Sequence, residues 1–125
     1  MKEAIRVVLV DDQELYREGN ALLLDATDDI VVVGEAGTGE EALQTIAEAE
    51  PDIVLMDIRM PGMGGIDATR RIVSAHPDIR VIALTIFDLD EYAFGALDAG
   101  ASAFILKSSS PEALIRTVRI VASGE

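Results

Sequence analysis

The chain has 125 residues, half of them hydrophobic, with ten Lys and Arg against twenty-three Asp and Glu and a formal net charge of −13. That length suits one domain with a single core spanning residues 1–125, and the positive mean hydropathy argues against disorder. The acidic excess, with its basic residues dispersed, argues against a direct nucleic-acid surface; the absence of cysteine excludes disulfides and thiolate zinc sites, and the lone His76 cannot build a multi-histidine centre.

The first apolar, β-branched run, Ile5-Arg6-Val7-Val8-Leu9-Val10, reads as a strand, and Asp11 and Asp12 follow it directly. It is too short, and interrupted by Arg6, to be a signal-peptide core, and no apolar run approaches the roughly 20 residues of a membrane span. A soluble, cytoplasmic protein with no membrane partner is expected. Leu15, Leu22 and Leu23 give helical spacing, and a second strand is predicted from Ile30 to Val33. Ala42, Leu43 and Ile46 mark the next helix, with Thr38 and Glu41 as a capping-box pair.

Ile53-Val54-Leu55-Met56 is the third strand, ending on Asp57, and a glycine-rich turn at Gly62, Gly64 and Gly65 follows. Ile66, Ile72 and Val73 are the apolar positions of a third helix. A fourth strand runs from Ile79 to Leu84 and ends on Thr85; Tyr92, Phe94 and Leu97 mark the helix after it. Ala103 to Leu106 is the fifth strand, ending on Lys107. Ser110-Pro111 supplies an N-cap and a first-turn proline for a last helix with Leu114, Val118 and Val121.

Strict alternation of strand and helix predicts an α/β fold: a doubly wound, five-stranded parallel sheet of flavodoxin-like (βα)5 type, strand order 2-1-3-4-5. In that order the first and third strands are neighbours, so Asp11, Asp12 and Asp57 meet at the sheet edge where such folds build their sites. Taken singly, Asp57 reads as a loop residue after a strand and Asp11 or Asp12 as a helix N-cap. Taken together they are a repelling cluster of anions, which must raise a pKa or recruit a divalent metal, and oxygen ligands suit Mg²⁺. Asp57 is the candidate nucleophile, since a carboxylate can accept a phosphoryl group when charge is neutralised around it. Thr85, a hydroxyl donor, and Lys107, an ammonium, are its candidate partners at the same edge. Phe104 reads as core, and Met60 and Met63 as turn packing.

These residues, Val10-Asp11-Asp12, Met56-Asp57-Ile58-Arg59-Met60-Pro61-Gly62-Met63-Gly64-Gly65, Leu84-Thr85 and Phe104-Ile105-Leu106-Lys107, in this order and spacing, resemble a bacterial two-component response-regulator receiver domain over essentially the whole chain. The run Gly65-Ile66-Asp67-Ala68-Thr69-Arg70-Arg71-Ile72 is similar to the NarL/FixJ (LuxR-type) branch. The resemblance implies that Asp57 is phosphorylated by a sensor histidine kinase. It also implies Mg²⁺ held by Asp12, Asp57 and the backbone carbonyl of Arg59, with Asp11 acting through metal-bound water. Thr85 and Lys107 would hold the phosphoryl oxygens, and Phe104 would be a switch aromatic coupled to Thr85. The implied output is transcriptional, through a phosphorylation-dependent homodimer, with DNA reached only through an attached C-terminal domain if this chain is the N-terminal part of a longer regulator.

Two positions depart from the family pattern. Ser108 stands where a proline commonly follows the lysine, and Ile86 stands where a small residue commonly follows the threonine, making Ile86 a candidate gate over Asp57. Arg59 and Phe87 fall at positions that tune phosphate lifetime in the family. Two other functions fit parts of the pattern. An aspartyl-phosphate phosphatase or phosphotransferase of haloacid dehalogenase type needs a second aspartate two residues after the nucleophile, where Arg59 stands. A flavodoxin-like binding module needs a hydroxyl- and glycine-rich loop after the first strand, where Asp11-Asp12-Gln13-Glu14 stands. On the receiver reading the chain is no enzyme beyond its own phosphorylation and dephosphorylation.

Overall fold

A computed structural model of the chain describes residues 3–60, 62–86 and 91–124. Pro61, Phe87, Asp88 and Asp90 lie outside the described residues, as does the side chain of Tyr92.

The elements alternate as expected: β1 (Ile5–Val10), α1 (Glu14–Asp25), β2 (Ile30–Ala36), α2 (Gly39–Ala49), β3 (Ile53–Asp57), α3 (Gly65–Ala75), β4 (Arg80–Thr85), α4 (Glu91–Asp98), β5 (Ala103–Leu106) and α5 (Pro111–Ala122). All strand pairs are parallel, in the order β2-β1-β3-β4-β5. Side chains alternate across the sheet, so each strand feeds both faces. Val8, Val10, Val54, Met56 and Ala83 pack under α2, α3 and α4 with Ala42, Ile46, Ala68, Ile72 and Ala96. Val7, Leu9, Ile53, Leu55, Ile82 and Leu84 pack under α1 and α5 with Leu24, Leu114 and Val118. The central strand β3 is buried throughout, which is why its sequence is a continuous apolar run. Each fully buried Leu, Ile or Val in these layers contributes about 1.5–3 kcal/mol.

The helix signals act locally as their chemistry requires. Ser110 Oγ accepts from Ala113 N at 3.1 Å at the start of α5, with Pro111 in the first turn. Thr38 Oγ1 accepts from Glu41 N at 3.0 Å, but the Glu41 carboxylate accepts from Gly37 N at 2.9 Å, one residue before the usual capping-box partner. At α1 the N-cap is Gln13, so neither Asp11 nor Asp12 serves as the cap.

Some expected details shift. β2 runs on to Ala36, because Asp11 N donates to the Ala36 carbonyl at 3.0 Å and extends the pairing with β1. Leu15 and Leu22 are 86% and 75% exposed, so they are not the inner face of α1; that face is Ala21 and Leu24, with the expected Leu23 half-buried beside them. In the run Leu22-Leu23-Leu24 the outer two residues point roughly 200° apart on a helix of 3.6 residues per turn, and burying Leu24 turns Leu22 outward. Among the described side chains of α4 Ala96 is buried, while Phe94 and Leu97 face solvent. No helix among the described residues is long and apolar enough to cross a membrane.

Candidate functional site

Because all strands run the same way, β1, β3, β4 and β5 deliver the residues that follow them to one edge. β1 pairs with β3 through Val10 opposite Met56, so the chain leaves both strands side by side, with Asp11 and Asp12 on one and Asp57 ending the other. Carboxylate oxygens of Asp11, Asp12 and Asp57 all lie within 4.8 Å of one another. Asp11 and Asp57 are buried and Asp12 is exposed.

Lys107 follows β5 and points its ammonium into the cluster. Nζ lies 2.9 Å from Asp11 Oδ2 and 3.3 Å from Asp57 Oδ2. Burial works against the Lys107 charge, but the hydrogen bond to Asp11 and the charge of Asp57 outweigh it and hold the ammonium above its ordinary range. Asp57 moves the opposite way for a carboxyl. Burial first, and then the neighbouring Asp11 charge, push it from 3.8 up to about 7, against the pull of Lys107 and of the Arg59 N–H, which donates to Asp57 Oδ1 at 3.2 Å. Each extra anion raises the cost of ionising Asp57.

Thr85 is buried at the end of β4, opposite Leu106 on β5, and its carbonyl accepts from Lys107 N at 2.8 Å. Its side-chain level is one residue beyond Leu84, the register partner of Asp57. Phe104 lies opposite Ala83, two residues before Thr85 on the same sheet face, half-buried against the core beneath α2, α3 and α4. Ile86, the candidate gate, is 53% exposed at the end of β4 beside this edge. Arg59 is exposed next to the same mouth. No cis peptide occurs among the described residues, the Lys107–Ser108 bond included.

Three neighbours belong to the site that residue-type reasoning passes over. Gln13 Oε1 accepts from Lys107 Nζ at 2.9 Å. The Tyr16 ring lies 4.9 Å from the same ammonium, within cation–π range, and its hydroxyl is 3.5 Å from the Lys107 carbonyl. Arg17 donates to the Asp11 carbonyl at 2.6 Å and pairs with Glu35 at 3.0 Å, which braces the first loop from behind. The available signal was that Gln is a poor N-cap and is therefore free to reach elsewhere.

The donor set fits a hard divalent cation: three carboxylates, all oxygen, close together, one solvent-exposed, with Lys107 as the ammonium that meets two of them. Chemically, the arrangement presents a buried carboxylate oxygen with a cation poised beside it, which is what acceptance of an anionic group requires.

The sequence profile of the response regulator receiver domain matches residues 7–119. Over 124 residues the chain is 44% identical to the uncharacterized transcriptional regulatory protein YxjL of Bacillus subtilis, covering 99% of this chain and 57% of that protein. It is 41% identical over 121 residues to the response regulator GacA of Pseudomonas viridiflava, covering 97% of this chain and 56% of that protein. The chain thus spans little more than half the length of these relatives. The signal receiver domain of the putative response regulator NarL from Mycobacterium tuberculosis superposes with a TM-score of 0.92 at 36% identity, covering 98% of this chain and 99% of that one. A LuxR-family two-component response regulator from Aurantimonas superposes equally well, with a TM-score of 0.92 at 36% identity over 98% of this chain and 88% of that one. With the strand order, the acidic edge and the lysine bridge all present in one chain, this protein belongs to the receiver domain family of two-component response regulators.

Proposed function

We propose that Asp57 is the phosphoacceptor of this receiver domain and that a sensor histidine kinase is its donor. The observation that carries the reading is the Lys107 ammonium set between two buried aspartates, 2.9 Å from Asp11 and 3.3 Å from Asp57. Asp12, Asp57, the Arg59 carbonyl and, through water, Asp11 would hold Mg²⁺, which when bound supplies charge neutralisation at the transferring phosphoryl group. Within the chain, Asp57 offers the attacking oxygen, and Lys107 and Thr85 receive the phosphoryl oxygens as N–H and O–H donors. The protein's chemistry is confined to its own aspartyl phosphate.

The switch runs through Thr85 and Phe104, on one sheet face beside α4. A phosphoryl group that attracts Thr85 favours the conformer in which Thr85 reaches inward, and the population shifts by that differential affinity. The exposed Phe94 and Leu97 on α4 supply apolar surface next to this element for phosphorylation-dependent self-association. DNA would be reached through an attached domain in a cytoplasmic regulator, and residues 1–125 would be the receiver part of it.

The test is intact and tryptic mass measurement after incubation with acetyl phosphate and Mg²⁺. A single labile phosphoryl adduct on Asp57, absent in Asp57→Asn, is expected. An adduct on another residue, or steady turnover of donor without an adduct, would overturn the reading. Light scattering with and without beryllofluoride tests the dimer separately.

A further inference from the structure

Gln13 occupies the N-cap of α1, yet its side chain makes no cap hydrogen bond. It is turned instead to Lys107. The residue is gripped on both sides: its N–H donates to Asp11 Oδ1 at 2.8 Å, and its carbonyl accepts from Arg17 N at 3.0 Å, the first bond of the helix. Asp11, Gln13 and Lys107 therefore close a ring, in which Asp11 Oδ1 fixes the Gln13 backbone, Asp11 Oδ2 meets the ammonium, and Gln13 Oε1 meets the ammonium from the other side.

An ammonium has three N–H donors. Those of Lys107 have three oxygens within reach: Gln13 Oε1, which accepts a hydrogen bond at 2.9 Å, and the carboxylate oxygens Asp11 Oδ2 at 2.9 Å and Asp57 Oδ2 at 3.3 Å, which pair with the ammonium by charge. We infer that Gln13 is a positioning residue for the Lys107 ammonium, holding it so that the donor facing Asp57 is the one released to an incoming phosphoryl oxygen. This inference rests on the phosphoacceptor reading of Asp57. When acetyl phosphate reacts, the Asp57 oxygen forms a bond to phosphorus as the phosphorus–oxygen bond to acetate breaks, and acetate departs with the electron pair. Asp57 then loses its charge to the acyl phosphate while the phosphoryl oxygens bring new charge, so the longest of the three contacts is the one that weakens. Asp11 and Gln13 keep hold of the nitrogen throughout. The Tyr16 ring, 4.9 Å away, limits swing toward α1. Without Gln13 the ammonium would keep its charge pairing with Asp11 but lose the acceptor that fixes the direction of its donors, and part of that orientation would have to be found at the moment of reaction.

Gln13→Met keeps the length and removes the acceptor, and Gln13→Glu restores an acceptor at the same reach. Three readouts are needed: the rate of Asp57 labelling by acetyl phosphate with Mg²⁺, the ¹⁹F spectrum of bound beryllofluoride, and the ¹H–¹⁵N signal of the lysine ammonium in the unliganded chain. Gln13→Met should slow labelling roughly three- to tenfold, the worth of one hydrogen bond. It should also shift a bound fluorine resonance and abolish the slow-exchanging Lys107 ammonium signal, with the thermal midpoint unchanged. Gln13→Glu should restore that signal. Native labelling rate and native fluorine spectrum in Gln13→Met would overturn the inference. Failure of the native chain to label on Asp57 would instead remove the phosphoacceptor reading. In that case the ammonium signal still decides whether Gln13 holds Lys107: loss in Gln13→Met upholds the hold, and persistence refutes it.

Discussion

Gly65 packs its α-carbon directly against the peptide of Asp57: a Cβ at position 65 would overlap the Asp57 carbonyl oxygen and lie 2.5 Å from Ile58 Cα. The contact is with backbone, so no side-chain rotation relieves it. Gly65→Ala must move either the first turn of α3 or the end of β3, at a cost of about 1–3 kcal/mol. Because the second movement displaces the Asp57 carboxylate, labelling at this proposed acceptor should slow as well. Urea melts and a labelling time course check both; native values in each would mean that the turn absorbs the methyl group.

Asp57 releases its proton near 3.8 in the unfolded chain and at about 7 in the folded one. Between those values the folded state binds more protons, so stability falls as pH rises through the window and the full cost stands above about 7. Asp57→Asn has no proton to lose. In metal-free buffer its stability advantage over the native chain should be near zero below the window and grow across it, to at most ~4 kcal/mol at ~1.36 kcal/mol per pH unit. Urea unfolding with chelator at both ends of the window measures this, and an advantage independent of pH would contradict the assignment of the raised carboxyl to Asp57.

Asp12 is the exposed member of the carboxylate cluster and is the one a cation reaches first from solvent. The native chain should gain thermal stability with Mg²⁺ by mass action, about 2.7 kcal/mol at a hundredfold excess over Kd. Asp12→Ala should gain much less. Equal shifts of the thermal midpoint in the two proteins would remove Asp12 from the cation site.

Ile86, 53% exposed, has little packing to lose. Ile86→Ala should therefore change stability by no more than about 0.5 kcal/mol. If the side chain narrows access to Asp57, the variant will both acquire and lose the acetyl-phosphate label faster than the native chain. Unchanged rates of gain and loss would leave Ile86 as surface.

The sheet was legible because parallel α/β topology is written in alternation: apolar runs with a helix between each, and a charged or hydroxyl residue where the first, third, fourth and fifth runs stop. Once β1 and β3 are neighbours, the clustering of Asp11, Asp12 and Asp57 follows from topology alone, and so does the placement of Thr85 and Lys107. What could not be read depends on distances across the chain. The Gln13 contact joins residues with no pattern relating them; crowding of the aspartates already implied a raised pKa, but the larger cause at Asp57 is burial, which a strand-end aspartate does not announce. On α1 the sequence names Leu23 rightly and Leu15 and Leu22 wrongly, for a local reason: three consecutive leucines leave the phase of a helix undetermined until the sheet takes Leu23 and Leu24 and leaves Leu22 outside.

The link from Gln13 to Lys107 spans 94 positions of sequence, from the loop after the first strand to the residue that follows the last. During synthesis, therefore, Asp11 and Asp12 after β1 and Asp57 at the end of β3 emerge long before the Lys107 ammonium that pairs with Asp11 and Asp57. A chain ending before β5 would leave Asp57 in a carboxylate cluster without the Lys107 ammonium, with β4 unpaired on its outer side. Charge balance at this edge is therefore settled only when the last strand is in place.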